Sequence, residues 1–113
     1  MKRSPYYWIA EELLDNPSLI EKRMFGSDAF YIDGKLKLVL TQGKEKPWKG
    51  ILIPTSKEHH VSLIEEIPVL ESHSVLGKWL YLSDETDAFE ETAYRLIELI
   101  QKNDFRIGVE PKA

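Results

Sequence analysis

At 113 residues, with 42% hydrophobic and 30% charged residues, the chain is sized for a single domain, residues 1–113, around one hydrophobic core. It has no cysteine, which excludes disulfides, thiolate metal ligands and cysteine nucleophiles, and no apolar run nears the ~20 residues of a membrane-spanning helix. The formal net charge of −4 is unevenly spread, with eight Lys/Arg against three acids over 22–57 and ten acids against two bases over 58–101, a dipole able to steer an acidic partner to the basic half.

In chain order, Ser4-Pro5 starts a helix, because serine can cap free amides and proline at the first position lacks the N–H that would be left unpaired. Tyr6, Ile9, Ala10 and Leu13 recur at helical spacing, and Asn16-Pro17 ends the pattern, so a helix is expected over Pro5 to Leu14. Glu11 and Glu12 interrupt this segment before a signal-peptide core could form, and the expected location is cytoplasmic. Ser18 to Lys22 reads as connection.

The strongest local signal is Arg23 to Thr41, where two runs rich in β-formers meet at Asp33-Gly34. That dipeptide tolerates the positive φ angles of a type I′ turn, which sets Ile32 opposite Lys35, Tyr31 opposite Leu36, Phe30 opposite Lys37 and Ala29 opposite Leu38. Strict alternation then puts Phe25, Ala29, Tyr31, Leu36, Leu38 and Leu40 on the core face and Phe30, Ile32, Lys35, Lys37 and Val39 on the other.

Gln42 to Lys49 is polar with Gly43 and Pro47 and reads as a loop; Gly50 to Pro54 reads as a strand buried inside the sheet beside Leu36 to Leu40. Thr55-x-x-Glu58 is a capping-box pattern before a helix to Ile67, with Val61, Leu63, Ile64 and Ile67 on its apolar stripe and Pro68 as its stop. Val69 to Val75 and Lys78 to Ser83 read as a second hairpin around Gly77. Asp87-x-x-Glu90 opens the longest helix, with Phe89, Ala93, Leu96, Ile97 and Ile100 on one stripe, Asn103 at its end, and an alternating tail of Phe105, Ile107 and Val109. The order α-β-β-β-α-β-β-α predicts a two-layer α+β fold with an antiparallel sheet of about five strands.

Lys22-Arg23-Met24-Phe25-Gly26, then Phe30-Tyr31 and Asp33-Gly34-Lys35, resemble the N-terminal domain family of the bacterial competence regulator TfoX. The resemblance implies a secretion-chaperone-like α-β(3)-α-β(2)-α arrangement and a regulatory, non-catalytic role, and it carries over no catalytic residue.

Candidate chemistry is sparse. Adjacent His59 and His60 diverge by about 100° on a helix and cannot clamp one metal as an i, i+4 pair can, and His73 is remote in sequence. Glu65-Glu66 and Glu90-Glu91 diverge likewise, Ser27-Asp28 lacks a nucleophile-elbow context, and the glycines form no phosphate-binding motif. No metal, cofactor or membrane partner is therefore expected. Two binding features remain. The side away from the expected core, Phe30, Ile32, Lys35, Lys37 and Val39, needs cover, either from Tyr7-Trp8, from the 105–109 tail, or from a partner protein or second copy. The basic set Arg23, Lys35, Lys37, Lys44, Lys46, Trp48 and Lys49 has the composition used to bind phosphates and stack bases, although an aromatic in a loop also serves as a packing anchor. The expectation is a non-enzymatic interaction module, homodimeric or bound to a protein partner, with weak nucleic-acid binding as the alternative.

Overall fold

The computed structural model describes residues 6–24 and 26–110. The expected Ser4-Pro5 helix start and the place of Phe25 lie outside the described residues. Six strands form one antiparallel sheet: β1 (Leu19–Met24), β2 (Ser27–Ile32), β3 (Lys35–Gln42), β4 (Lys49–Ile53), β5 (Glu71–Ser72) and β6 (Leu80–Ser83), in the order β1-β2-β3-β4-β6-β5. Over one face lie a 3₁₀ helix (Tyr7–Leu13), a short 3₁₀ turn (Lys57–His59) running into α1 (His60–Glu66), and α2 (Phe89–Gln101). This is a two-layer α+β fold, with six strands where about five are expected. The extra one is β1, formed where 18–22 reads as connection, because Leu19 to Met24 pairs along the whole of β2.

The 33–34 turn forms as the residue types demand. Asp33 and Gly34 take φ of 52° and 80°, and Ile32 pairs with Lys35 and Tyr31 with Leu36. One step further the register slips: Phe30 pairs with Leu38 and Ala29 with Val39, which makes Lys37 an extra residue in a β-bulge. The side chains beyond the bulge therefore exchange faces relative to strict alternation. Phe30 and Ile32 join Leu38 and Leu40 in the core beneath the helices, while Ala29, Leu36 and Val39 cluster on the opposite face with Tyr31 against them.

This corrects the expected docking surface. Phe30 is 0% exposed with its ring 5.9 Å from that of Tyr7, so the N-terminal helix supplies the cover. Ile32 and Val39 are buried on opposite faces, and only Lys35, at the turn, is exposed. Lys37 is buried too. Its Nζ donates to the Ile107 carbonyl at 3.1 Å and to Asn103 Oδ1 at 3.2 Å, and burial lowers its pKa. A lysine can occupy the bulge because its stem packs while its ammonium finds acceptors on the C-terminal segment.

Non-local partners also redirect the expected caps. Thr55 Oγ1 donates to the Arg106 carbonyl at 2.5 Å, so the capping box does not form, and the position before α1 is His59. Ala88, not Asp87, precedes α2, whose first turn still carries Glu90 and Glu91 at the positive end of its dipole. On α1, Leu63 and Ile67 are buried but Val61 is 71% exposed, leaving the stripe narrower than expected. Asn103 at φ 58° closes α2, Ile107 enters the core, and Val109 pairs with Leu36 in an antiparallel bridge alongside β3. Phe105 stays 79% exposed. Arg106 binds Asp104 and Glu66, and Arg95 binds Glu66 and Glu98, tying the C-terminal segment to α1 and α2.

Candidate binding cleft on the helix-free face

Because the strands are apolar on both faces, the sheet cannot leave its helix-free side to water. Trp79 and Tyr81 alternate with Leu80 and Leu82, and Val39 alternates with Leu38 and Leu40; the two sets sort to opposite sides. Ala29, Leu36, Val39, Leu52 and Tyr81 form a second buried cluster there, with Tyr31, Trp79 and Val109 packed against it. Among the described residues no helix packs on this cluster. Two loops do so in part.

The first loop, residues 43–48, folds back on itself. Gly43 N–H and Thr41 Oγ1 both donate to the Trp48 carbonyl, the latter at 3.1 Å, and Trp48 N–H donates to Glu45 O at 3.0 Å. The second is the β5–β6 turn, residues 73–79, closed by His73 N–H to Trp79 O and Gly77 N–H to His73 O, each 2.9 Å. His73, 1% exposed, joins the two. Its ring meets Trp48 edge-on with centroids 4.6 Å apart and Tyr81 at 5.9 Å, while Nδ1 accepts from the Val75 and Leu76 amides at 3.1 and 2.9 Å. Nε2 makes no well-formed hydrogen bond. Burial holds the imidazole pKa below the ordinary histidine value, partly offset by the Pro47 carbonyl beside it.

Between these loops opens a cleft of about 850 Å³, with Val39 and Leu52 of the sheet as its floor and Trp48, Leu76 and Trp79 as walls. Its size falls in the ~300–1,000 Å³ range of ligand sites, which are mostly apolar with a few placed polar groups. The polar groups here are Thr41, Ser27, Gln42 and, at the rim, Arg23, Lys44 and Glu45. Arg23 Nη1 donates to the buried Asp28 Oδ1 at 2.7 Å, an ion pair that anchors the rim.

Of the basic set, Arg23, Lys44 and Trp48 converge on this cleft, and Lys46 and Lys49 flank it on the same loop and the strand it enters. Lys35 sits at the hairpin turn, and Lys37 is buried on the helix side, so neither belongs to the same surface. The histidines do not converge either: His59 packs edge-on against Phe105, and His60 contacts Lys78 O through Nε2 at 2.8 Å. Among the described residues no group of three His, Cys, Asp or Glu side chains could hold a metal ion, and no helix is long and apolar enough to cross a membrane. Of the expected docking residues Val39 does line the cleft, while sequence reasoning misses Leu52 as floor and Leu76, Trp79 and His73 as walls and brace. The available signal is the double apolar alternation of Trp79 to Leu82, which marks a strand covered on both faces.

Fold and cleft together define a two-layer α+β protein whose helix-free sheet face is hollowed between two loops. Compared with known proteins, the chain matches no family model, no curated protein and no solved structure.

Proposed function

We propose that the protein is a non-enzymatic interaction module of the cytoplasm, akin to the TfoX N-terminal domain in role, that binds a partner protein through the cleft on its helix-free face. The observation that carries this reading is the open hollow walled by Trp48, Leu76 and Trp79, since buried recognition pockets lined by aromatic and aliphatic groups receive the anchor side chains of partners. The partner segment that fits presents an aromatic or branched apolar anchor with acidic flanks. Lys44, Lys46 and Lys49 stand at or beside the rim with Glu45, while Arg23 there is paired with buried Asp28. Selection of a random displayed-peptide library against the folded protein tests this. Enrichment of peptides with an apolar anchor between acidic residues, lost with Leu76→Glu, supports it. No enrichment, or the same peptides on the variant, rejects it.

The convergence of Arg23 and Lys44 with two indole rings favours a second reading, weak binding of single-stranded nucleic acid with a base stacked in the cleft. That reading requires anisotropy-detected binding of a short oligonucleotide at low salt, falling steeply as salt rises and abolished by Trp48→Ala. Absence of binding at low ionic strength ends it.

A further inference from the structure

We infer that His73 is a proton-sensitive latch on the cleft: its neutral ring holds the 73–79 turn and the 43–48 loop together, and protonation releases both walls. The inference rests on the reading of the cleft as the binding surface and adds how that surface is regulated.

The geometry assigns the proton. Nδ1 accepts two backbone N–H groups, from Val75 and Leu76, so it carries the lone pair and the single proton of the neutral ring sits on Nε2. An incoming proton has only that Nδ1 lone pair to take. Once protonated, Nδ1 becomes a donor facing two donors, and both hydrogen bonds are lost together. Leu76, released at its amide, is a cleft wall, and Trp48, against which the imidazole edge packs, is another. One side chain thus braces both loops from behind.

The surroundings sharpen the response. From β6, Tyr81 faces the ring, and its hydroxyl, donating to Lys49 O and raised in pKa by burial, stays neutral throughout the range in which a histidine titrates. From the 43–48 loop the ring is approached by Trp48 and the Pro47 carbonyl, while Lys46 is exposed and Lys49 partly so. On β5 and in the turn, Glu71 and Lys78 are exposed, and no carboxylate contributes to the titration of His73. His60 touches the outside of the turn from α1, with Nε2 at Lys78 O and Nδ1 3.5 Å from Ser72 Oγ. A buried imidazolium, which has no ion pair among the described residues, lowers its energy by moving toward water and draws the turn that carries it with it.

Amide hydrogen exchange and imidazole nitrogen shifts, followed by NMR on the full chain from about pH 8 to about pH 5, test the latch without any ligand. The expected result is an Nε2–H tautomer at neutral pH, a His73 midpoint below the ordinary ~6.5, and exchange at Val75 and Leu76 that rises at least ~10-fold through that midpoint after correction for intrinsic rates. Gly43, bonded to the Trp48 carbonyl, rises with them, while amides of the β2–β3 ladder and α2 do not. His73→Phe, which keeps a ring but no acceptor, shows the fast exchange already at neutral pH and loses its pH dependence. An Nδ1–H tautomer, flat exchange through the titration, or simultaneous release of every amide overturns the inference, and wild-type protein alone decides it should the variant fail to fold. A latch that behaves as described while peptide selection finds nothing leaves the proposed function at fault instead.

Discussion

Lys37 Nζ and Asn103 Oδ1 meet at 3.2 Å although 66 positions separate them in the chain, and this contact joins the bulge in β3 to the residue that closes α2. Asn103 does two jobs, adopting a left-handed backbone and accepting from a buried ammonium. Asn103→Gly separates them, because glycine keeps the first function at less strain and loses the second. The substitution is expected to destabilise the protein by about 1 kcal/mol in urea denaturation, the lost charged hydrogen bond outweighing the backbone relief. A gain in stability would show that the Lys37 contact holds nothing.

Phe30 is the sharpest test of the register. Buried at 0% exposure against Tyr7, it should cost about 3–5 kcal/mol when replaced by alanine, as large aromatic truncations in cores do. On the face assignment that strict alternation predicts, Phe30 would lie outside the core and the same change would stay within about 0.5 kcal/mol. Equilibrium denaturation separates the two.

Two glycines should respond very differently to alanine. Gly50 has φ +136°, and a Cβ there would lie 2.2 Å from the Leu82 carbonyl oxygen, inside the β4–β6 ladder. Gly34 has φ +80° with nothing within 4 Å of the added carbon. Gly34→Ala is expected to cost about 1 kcal/mol from backbone strain alone, and Gly50→Ala several-fold more, with loss of cooperative unfolding if the strands part. Thermal melts of the two variants provide the comparison.

Stability should fall in two stages on acidification. His73 has a folded pKa below its unfolded value of about 6.5, so the unfolded chain binds more protons in that interval; stability is full above about pH 6.5 and falls as pH drops toward the folded value. Glu66 and Asp104 are held below the usual carboxylate range, each chiefly by hydrogen bonding to Arg106, so their contribution is present above about pH 4.5 and is lost below it. Urea midpoints measured against pH should show both steps in the wild type and only the lower one in His73→Phe.

Much of the fold is legible because local chemistry decides it. The Asp33-Gly34 turn, the α2 stripe and the Asn103 stop follow from residues adjacent in sequence, and so does the second hairpin, although its first strand keeps only Glu71–Ser72 of the expected Val69 to Val75. What is not legible is decided at a distance. The bulge at Lys37 depends on acceptors at Asn103 and Ile107, and the Thr55 hydroxyl is taken by the Arg106 carbonyl instead of a helix start. One extra residue in β3 puts Leu38 and Leu40 on the same face as Phe30 and Ile32, which becomes the core, and leaves Val39 on the helix-free face. The cleft is half legible: Trp48 and its basic neighbours stand out, but Leu76 and Trp79 join them only because β6 lies beside β4 and carries the β5–β6 turn back over Val39 and Leu52.

A binding role requires that the hollow between Trp48 and Trp79 receive a partner. Calorimetric titration of an acid-flanked peptide with an apolar anchor, taken from the displayed-peptide selection, into wild type and Leu76→Glu measures this directly. Leu76 is 38% exposed, so the added charge should leave the fold intact, as circular dichroism can verify. The predicted result is a loss of affinity of at least ~10-fold, corresponding to about 1.4 kcal/mol. Equal affinity for the two folded proteins would contradict it.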